Sequence, residues 1–98
     1  MSTTKFDVEK FDRKINFSLW QVRMRAILVQ NGVQKALGVR PDGMKDTMWE
    51  EMDEKARSTI QLSLTNEVFW EVISEKTTKS LWENLESLSE KDSDEQAL

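Results

Sequence analysis

The sequence predicts an all-α fold, a small orthogonal bundle of four to five short helices. Three observations carry this. Apolar residues recur at three- and four-residue steps in four separate segments, the spacing of one helix face. Only three glycines and one proline interrupt the 98 residues, so breaks are few. No strand pair or hairpin signal competes. The length fits one domain with a modest core. A composition of 38% hydrophobic and 33% charged residues fits a globular chain and not a disordered one.

The central element covers residues 16–32. Ser18 is placed to cap it, with Gln21 closing a capping box and Phe17 and Val22 at the two positions of a hydrophobic staple. Asn31-Gly32 ends it, since Gly takes the left-handed conformation that terminates helices. Trp20, Met24, Ile27 and Leu28 share one face. Leu19, Val22 and Val29 share a second, neighbouring face, so the helix is expected to pack on two sides. Residues 1–15 precede it as a partly ordered arm, whose Phe6, Val8, Phe11 and Ile15 are spaced for neither helix nor strand. The aromatic side chains of that arm are expected to plug into the bundle, with the first few residues disordered.

One helical turn is expected at residues 33–37, stopped by Gly38, and then a corner at Arg40-Pro-Asp-Gly43. A second long helix starts at Asp46-Thr47, with Thr47 and Glu50 at capping-box spacing and Asp46 adding negative charge near its N-terminus. Trp49, Met52, Ala56 and Ile60 make a narrow apolar stripe. Glu51–Lys55 and Asp53–Arg57 are acid-before-base pairs four residues apart. The acidic cluster at 50–54 reads as a solvated helix face in preference to a metal or substrate site, because no second ligand set accompanies it. Asn66 is placed to cap a short third helix with Val68, Phe69, Val72 and Ile73 on its apolar face. Trp70 stands beside that face, flanked by Glu67 and Glu71. Thr78 is placed to cap a fourth helix carrying Leu81, Trp82, Leu85 and Leu88. Apolar spacing is lost from Ser89, so residues 16–89 form the expected domain and 90–98 an acidic, disordered tail. The expected core is Phe17, Trp20, Met24, Leu28, Trp49, Met52, Ile60, Val68, Phe69, Val72, Leu81, Trp82 and Leu85.

The net charge of −4 hides an asymmetry. Residues 1–45 hold nine Lys/Arg against four Asp/Glu, and residues 46–98 hold five against fourteen. The halves are therefore at +5 and −9. The split orients the halves toward each other within one molecule, the favoured reading, or sets the basic half of one copy toward the acidic half of the next.

Catalysis needs positioned acids, bases, nucleophiles or metal ligands. The chain has no Cys and no His, which removes thiol and imidazole chemistry, zinc sites and disulfides. There is no glycine-rich phosphate loop. The expectation is a non-enzyme without cofactor or metal. Arg23 and Arg25 with Lys10, Arg13 and Lys14 make a small basic patch, but in an acidic chain phosphate affinity is weak and salt-sensitive, so nucleic acid is disfavoured as a partner. No run of about 18 apolar residues spans a membrane, and the N-terminus has no apolar signal segment. An intracellular, cytoplasmic location is expected.

Four stretches, in order, resemble a known family. They are Phe11-Asp-Arg-Lys-Ile-Asn-Phe-Ser-Leu-Trp-Gln-Val-Arg-Met-Arg-Ala-Ile-Leu-Val-Gln30, Trp49-Glu-Glu-Met-Asp-Glu-Lys-Ala56, Ile60-Gln-Leu-Ser-Leu64 and Thr78-Lys-Ser-Leu-Trp-Glu-Asn-Leu-Glu-Ser-Leu88. Together they cover roughly residues 6–88 and resemble the start of the Gag polyprotein of copia-type LTR retrotransposons, plant ones especially. No single motif is specific, but their order and spacing are. The resemblance implies a helical domain like a capsid N-terminal domain, acting through protein–protein contacts and not catalysis. Relatives carry Gly after Phe-Asp, where this chain has Arg13, and an aromatic residue where it has Ser89. They continue to a Cys/His zinc knuckle that holds RNA, and this chain corresponds to the part before it.

The implied partners are the chain itself or full-length Gag. A second reading is a domesticated host module that binds a host protein or peptide, or that inhibits particle assembly. RNA binding is a third. The candidate interaction residues are Trp70, Glu67, Glu71, Arg23 and Arg25, with Trp70 serving either as an exposed anchor or as filler at the core edge.

Overall fold

The computed structural model describes residues 9–13 and 16–97, and the side chains as far as residue 89. Four α-helices and one 3-10 turn follow in order: α1 (Phe17–Gln30), the turn Gln34–Leu37, α2 (Asp46–Gln61), α3 (Asn66–Val72) and α4 (Thr78–Ala97). The fold is all-α. Among the described residues, extended pairing is limited to one bridge between Phe11 and Leu64. There Phe11 N–H donates to the Ser63 carbonyl at 2.9 Å, and Thr65 N–H donates to the Phe11 carbonyl at 3.1 Å. These bonds hold Phe11 inside the bundle, as expected for the arm. The remaining arm positions at 1–8, 14 and 15 lie outside the described residues.

Each helix starts one or two residues before the side chain that the sequence nominates. Asn16 and not Ser18 caps α1, its Oδ1 accepting from Leu19 N–H at 3.1 Å. Gln21 does not close a box but donates from Nε2 to Glu86 of α4 at 2.8 Å. Val22 is exposed, so it forms no staple with Phe17. Lys45 precedes α2 with no side-chain cap bond, and Thr47 lies inside the helix. Thr65 precedes α3 in place of Asn66. At α4, Thr77 takes the capping role: its Oγ1 accepts from Ser80 N–H at 3.1 Å. Such a bond satisfies one of the helix's orphan donors.

The termination of α1 follows the sequence. Gly32 has φ +72°. Val33 N–H donates to the Leu28 carbonyl at 2.9 Å and Gly32 N–H to the Val29 carbonyl at 3.0 Å. This pair of bonds is the Schellman motif, accompanied by burial of Val33 and Leu28. The corner before α2 also forms, with Gly43 at φ +84° and Met44 N–H donating to the Pro41 carbonyl at 3.2 Å. Arg40 pairs with Asp46 across it. By contrast, α4 does not stop at residue 89. It runs through the stretch expected as a disordered tail, reaching Ala97. That stretch has no Gly or Pro, and its Glu, Lys, Gln and Ala are good helix formers.

The core gathers Phe11, Trp20, Met24, Ile27, Leu28, Val33, Ala36, Ala56, Ile60, Leu64, Val68, Val72, Leu81, Trp82 and Leu85. Phe17, Met52, Phe69 and Leu88 pack at its edge. Trp49, expected inside, is only half-buried. An aromatic chain ties the arm to α1 and α4: Phe11–Phe17 at 5.1 Å, Phe11–Trp20 at 5.4 Å, Phe17–Trp20 at 5.7 Å and Trp20–Trp82 at 6.0 Å between ring centroids. Such pairs add about 0.5–1.5 kcal/mol each beyond the area they bury.

Burial of Asp53 departs from expectation. It is not part of a solvated acidic row. Its Oδ1 accepts from Thr78 N–H at 2.9 Å, its carbonyl accepts from Thr78 Oγ1 at 2.8 Å, and its Oδ2 pairs with Arg57 at 2.7 Å. Arg57 Nη1 also donates to the Lys76 carbonyl at 2.6 Å. This buried network bolts α2 to the start of α4.

Candidate protein-interaction surfaces

In α3 the inward positions are Val68 and Val72, four residues apart, which leaves the opposite side to Glu67 and Trp70, with Ile73 three residues further on just past the helix.

 Val68 and Val72 are fully buried, whereas Trp70 is 69% and Ile73 44% exposed. Trp70 therefore does not fill the core edge. It stands on the surface, 6.3 Å from the half-buried ring of Phe69. Glu67 and Glu71 are both exposed. Glu71 Oε2 accepts from Arg13 Nη1 at 2.6 Å, which brings the basic arm onto the acidic flank of α3.

On α1 the core face is as expected: Trp20, Met24, Ile27 and Leu28 are buried. The second apolar face is not packed. Leu19 is 49%, Val22 66% and Val29 50% exposed, and Ala26 between them is exposed as well. These four positions step by three and four, so they form one continuous outward stripe about 15 Å long at 1.5 Å per residue. Arg23 and Arg25 flank the stripe on opposite sides, both exposed. The other sides of α1 meet α2, the 3-10 turn and, through Trp20–Trp82 and Gln21–Glu86, α4.

The candidate residues thus fall on two surfaces. Trp70, Glu67 and Glu71 share α3, and Arg23 and Arg25 share α1. The basic patch is divided further. Arg13 is engaged by Glu71, the Arg25 guanidinium lies 5.6 Å from the centroid of the Trp82 ring, and Lys14 lies outside the described residues. Sequence reasoning missed the exposed stripe of α1. Two neighbouring apolar faces read alike in the sequence whether they are covered or not.

Two depressions adjoin these surfaces. One, of about 400 Å³, is lined by Lys10, Ser58, Gln61, Leu64, Asn66 and Phe69, with exposed Leu62 at its edge. The other, of about 660 Å³, is a shallow hollow where Arg25, Gln34, Lys35, Leu37, Val39 and Trp82 meet. Among the described residues no group of three or more acidic side chains is arranged to hold a metal ion. No helix among them is long and apolar enough to cross a membrane.

No protein-family model matches the chain, and no solved structure matches it either. Over 91 residues, 90% of its length, the chain is 44% identical to the retrovirus-related Pol polyprotein from transposon TNT 1-94 of Nicotiana tabacum. It spans 7% of that polyprotein. The matching part is the N-terminal, Gag-like region and not the enzymatic Pol domains. This similarity makes the chain a relative of the N-terminal region of a plant copia-type retrotransposon polyprotein.

Proposed function

We propose that the chain is a non-enzymatic structural module of Gag type, capsid-like in role, which works by associating with copies of itself or with full-length Gag. The similarity over 90% of the chain carries this reading. Two surface features support it. A folded domain has little use for a four-residue apolar stripe turned to water, and surface patches of that kind mark contacts with other proteins. An exposed Trp is the side-chain type most enriched where binding energy concentrates.

Sedimentation of the purified chain across a concentration series, alone and mixed with full-length copia-type Gag, tests the reading. A mass that rises with concentration, or co-sedimentation with Gag, supports it. A strict monomer that also ignores Gag overturns it.

A further inference from the structure

The outer faces of α1 and α3 are opposite in charge and alike in being apolar. None of residues 13–41 is acidic, and six of them are Lys or Arg. None of residues 58–75 is basic, and three of them are Glu. The charged residues that α1 itself carries beside the stripe of Leu19, Val22, Ala26 and Val29, Arg23 and Arg25, are both cations. The charged residues that α3 itself carries beside Trp70 and Ile73, Glu67 and Glu71, are both carboxylates, Glu71 being met by Arg13 of the arm. Arg23 and Glu67 have no ion-pair partner among the described residues.

This pattern decides between modes of association. Two copies of α1 packed on each other would bring Arg23 and Arg25 of one copy against the same arginines of the other, with no acid on either helix. Like charges juxtaposed in that way select against the pairing. Two copies of α3 would likewise oppose Glu67 and Glu71 to themselves. An α1 face against an α3 face matches apolar to apolar and cation to carboxylate. A cation already meets the α3 flank within the molecule, where Arg13 of the arm reaches Glu71.

Resting on the reading that the chain self-associates, we propose that the α1 outer face of one copy docks on the α3 outer face of the next. Leu19, Val22 and Val29 cover Trp70 and Ile73, while Arg23 or Arg25 meets Glu67. The contact is heterologous, so each copy keeps one free face of each kind and assembly continues into rings or filaments instead of stopping at a dimer.

The test uses the full chain and two double variants, with sedimentation velocity as the readout and circular-dichroism melting as the folding control. Val22→Glu with Arg23→Glu disables the α1 face. Glu67→Lys with Trp70→Ala disables the α3 face. Each variant alone is expected to associate about tenfold or more weakly than the parent. Their equimolar mixture is expected to form a one-to-one dimer and nothing larger, because each supplies the face that the other lacks. Leu19→Gln and Ile73→Gln serve as milder replacements if either double variant melts early.

An α3 variant that assembles like the parent overturns the proposal while leaving self-association intact. So does a mixture that stays monomeric although the parent assembles. A parent that stays monomeric at every concentration overturns the proposal as well, whether or not it binds full-length Gag, and only the absence of both kinds of binding removes the reading beneath it.

Discussion

Arg13 occupies backbone space that suits glycine. Its φ of +76° lies in the left-handed region, where a side chain costs about 1–2 kcal/mol. The family that the sequence resembles carries Gly at this place, the residue this backbone conformation favours. The ion pair to Glu71 is largely exposed and offsets little of that strain. Comparing Arg13→Gly with Arg13→Ala isolates the backbone, because both remove the ion pair. Urea denaturation should find the Gly variant more stable than the Ala variant by about 1 kcal/mol. Equal stability would mean that the turn relaxes at no cost. Asp53 makes the opposite point about reading charges. Its pairing with Arg57 four residues on was legible as a helix-surface pair, and that contact forms. Its position three before Ala56 and seven before Ile60 also puts it on the buried face, a signal that the acidic run around it obscured. Asp53→Ala should cost about 2–3 kcal/mol in thermal or urea unfolding, since it strands the buried Thr78 N–H and removes the ion pair to Arg57. Asp53→Asn, which keeps an acceptor for Thr78, should cost less. Glu51→Ala and Glu54→Ala should stay within about 0.5 kcal/mol.

At the scale of elements, helix identity was legible and the capping residues were not. Apolar periodicity located α1, α2, α3 and the first part of α4 because burial is a repeated signal, spread over many residues. A cap is a single contact, and here several candidates stand in a row. Asn16 and Ser18, or Thr77 and Thr78, are all competent side chains, and only the folded backbone decides which one precedes the first turn. At α4 the choice has a tertiary cause: Thr78 is engaged by Asp53, so Thr77 is left to cap. The two faces of α1 were legible as apolar but not as inside and outside, because hydrophobicity says nothing of how many neighbours a domain can supply. Substitution separates them. Leu28→Ala should cost about 2–5 kcal/mol as a cavity forms in the core. Val22→Gln, six residues earlier on the exposed stripe, should change stability by no more than about 0.5 kcal/mol. A large loss from Val22→Gln in chemical denaturation would place a packed neighbour on that face after all.

For the whole molecule, the division of charge along the chain acts at two ranges. Inside the domain it joins particular groups, as in Arg13 with Glu71 and Arg40 with Asp46. Between domains it can act only through exposed groups, and those are screened by salt. The Debye length falls from about 30 Å at about 0.01 M to about 3 Å at about 1 M ionic strength. Assembly through apolar stripes rimmed by opposite charges should therefore respond in two parts. Raising salt should slow association markedly, because steering is lost, and change dissociation much less, because the apolar contact remains. Stopped-flow light scattering over that salt range reads both rates. Trp70→Ala should do the reverse, speeding dissociation while leaving the salt response of association in place and the melting temperature of the domain unchanged, as fits a side chain 69% exposed. Association that grows faster as salt rises would mean that like charges face each other across the contact, and the pairing of a basic α1 with an acidic α3 would be lost with it.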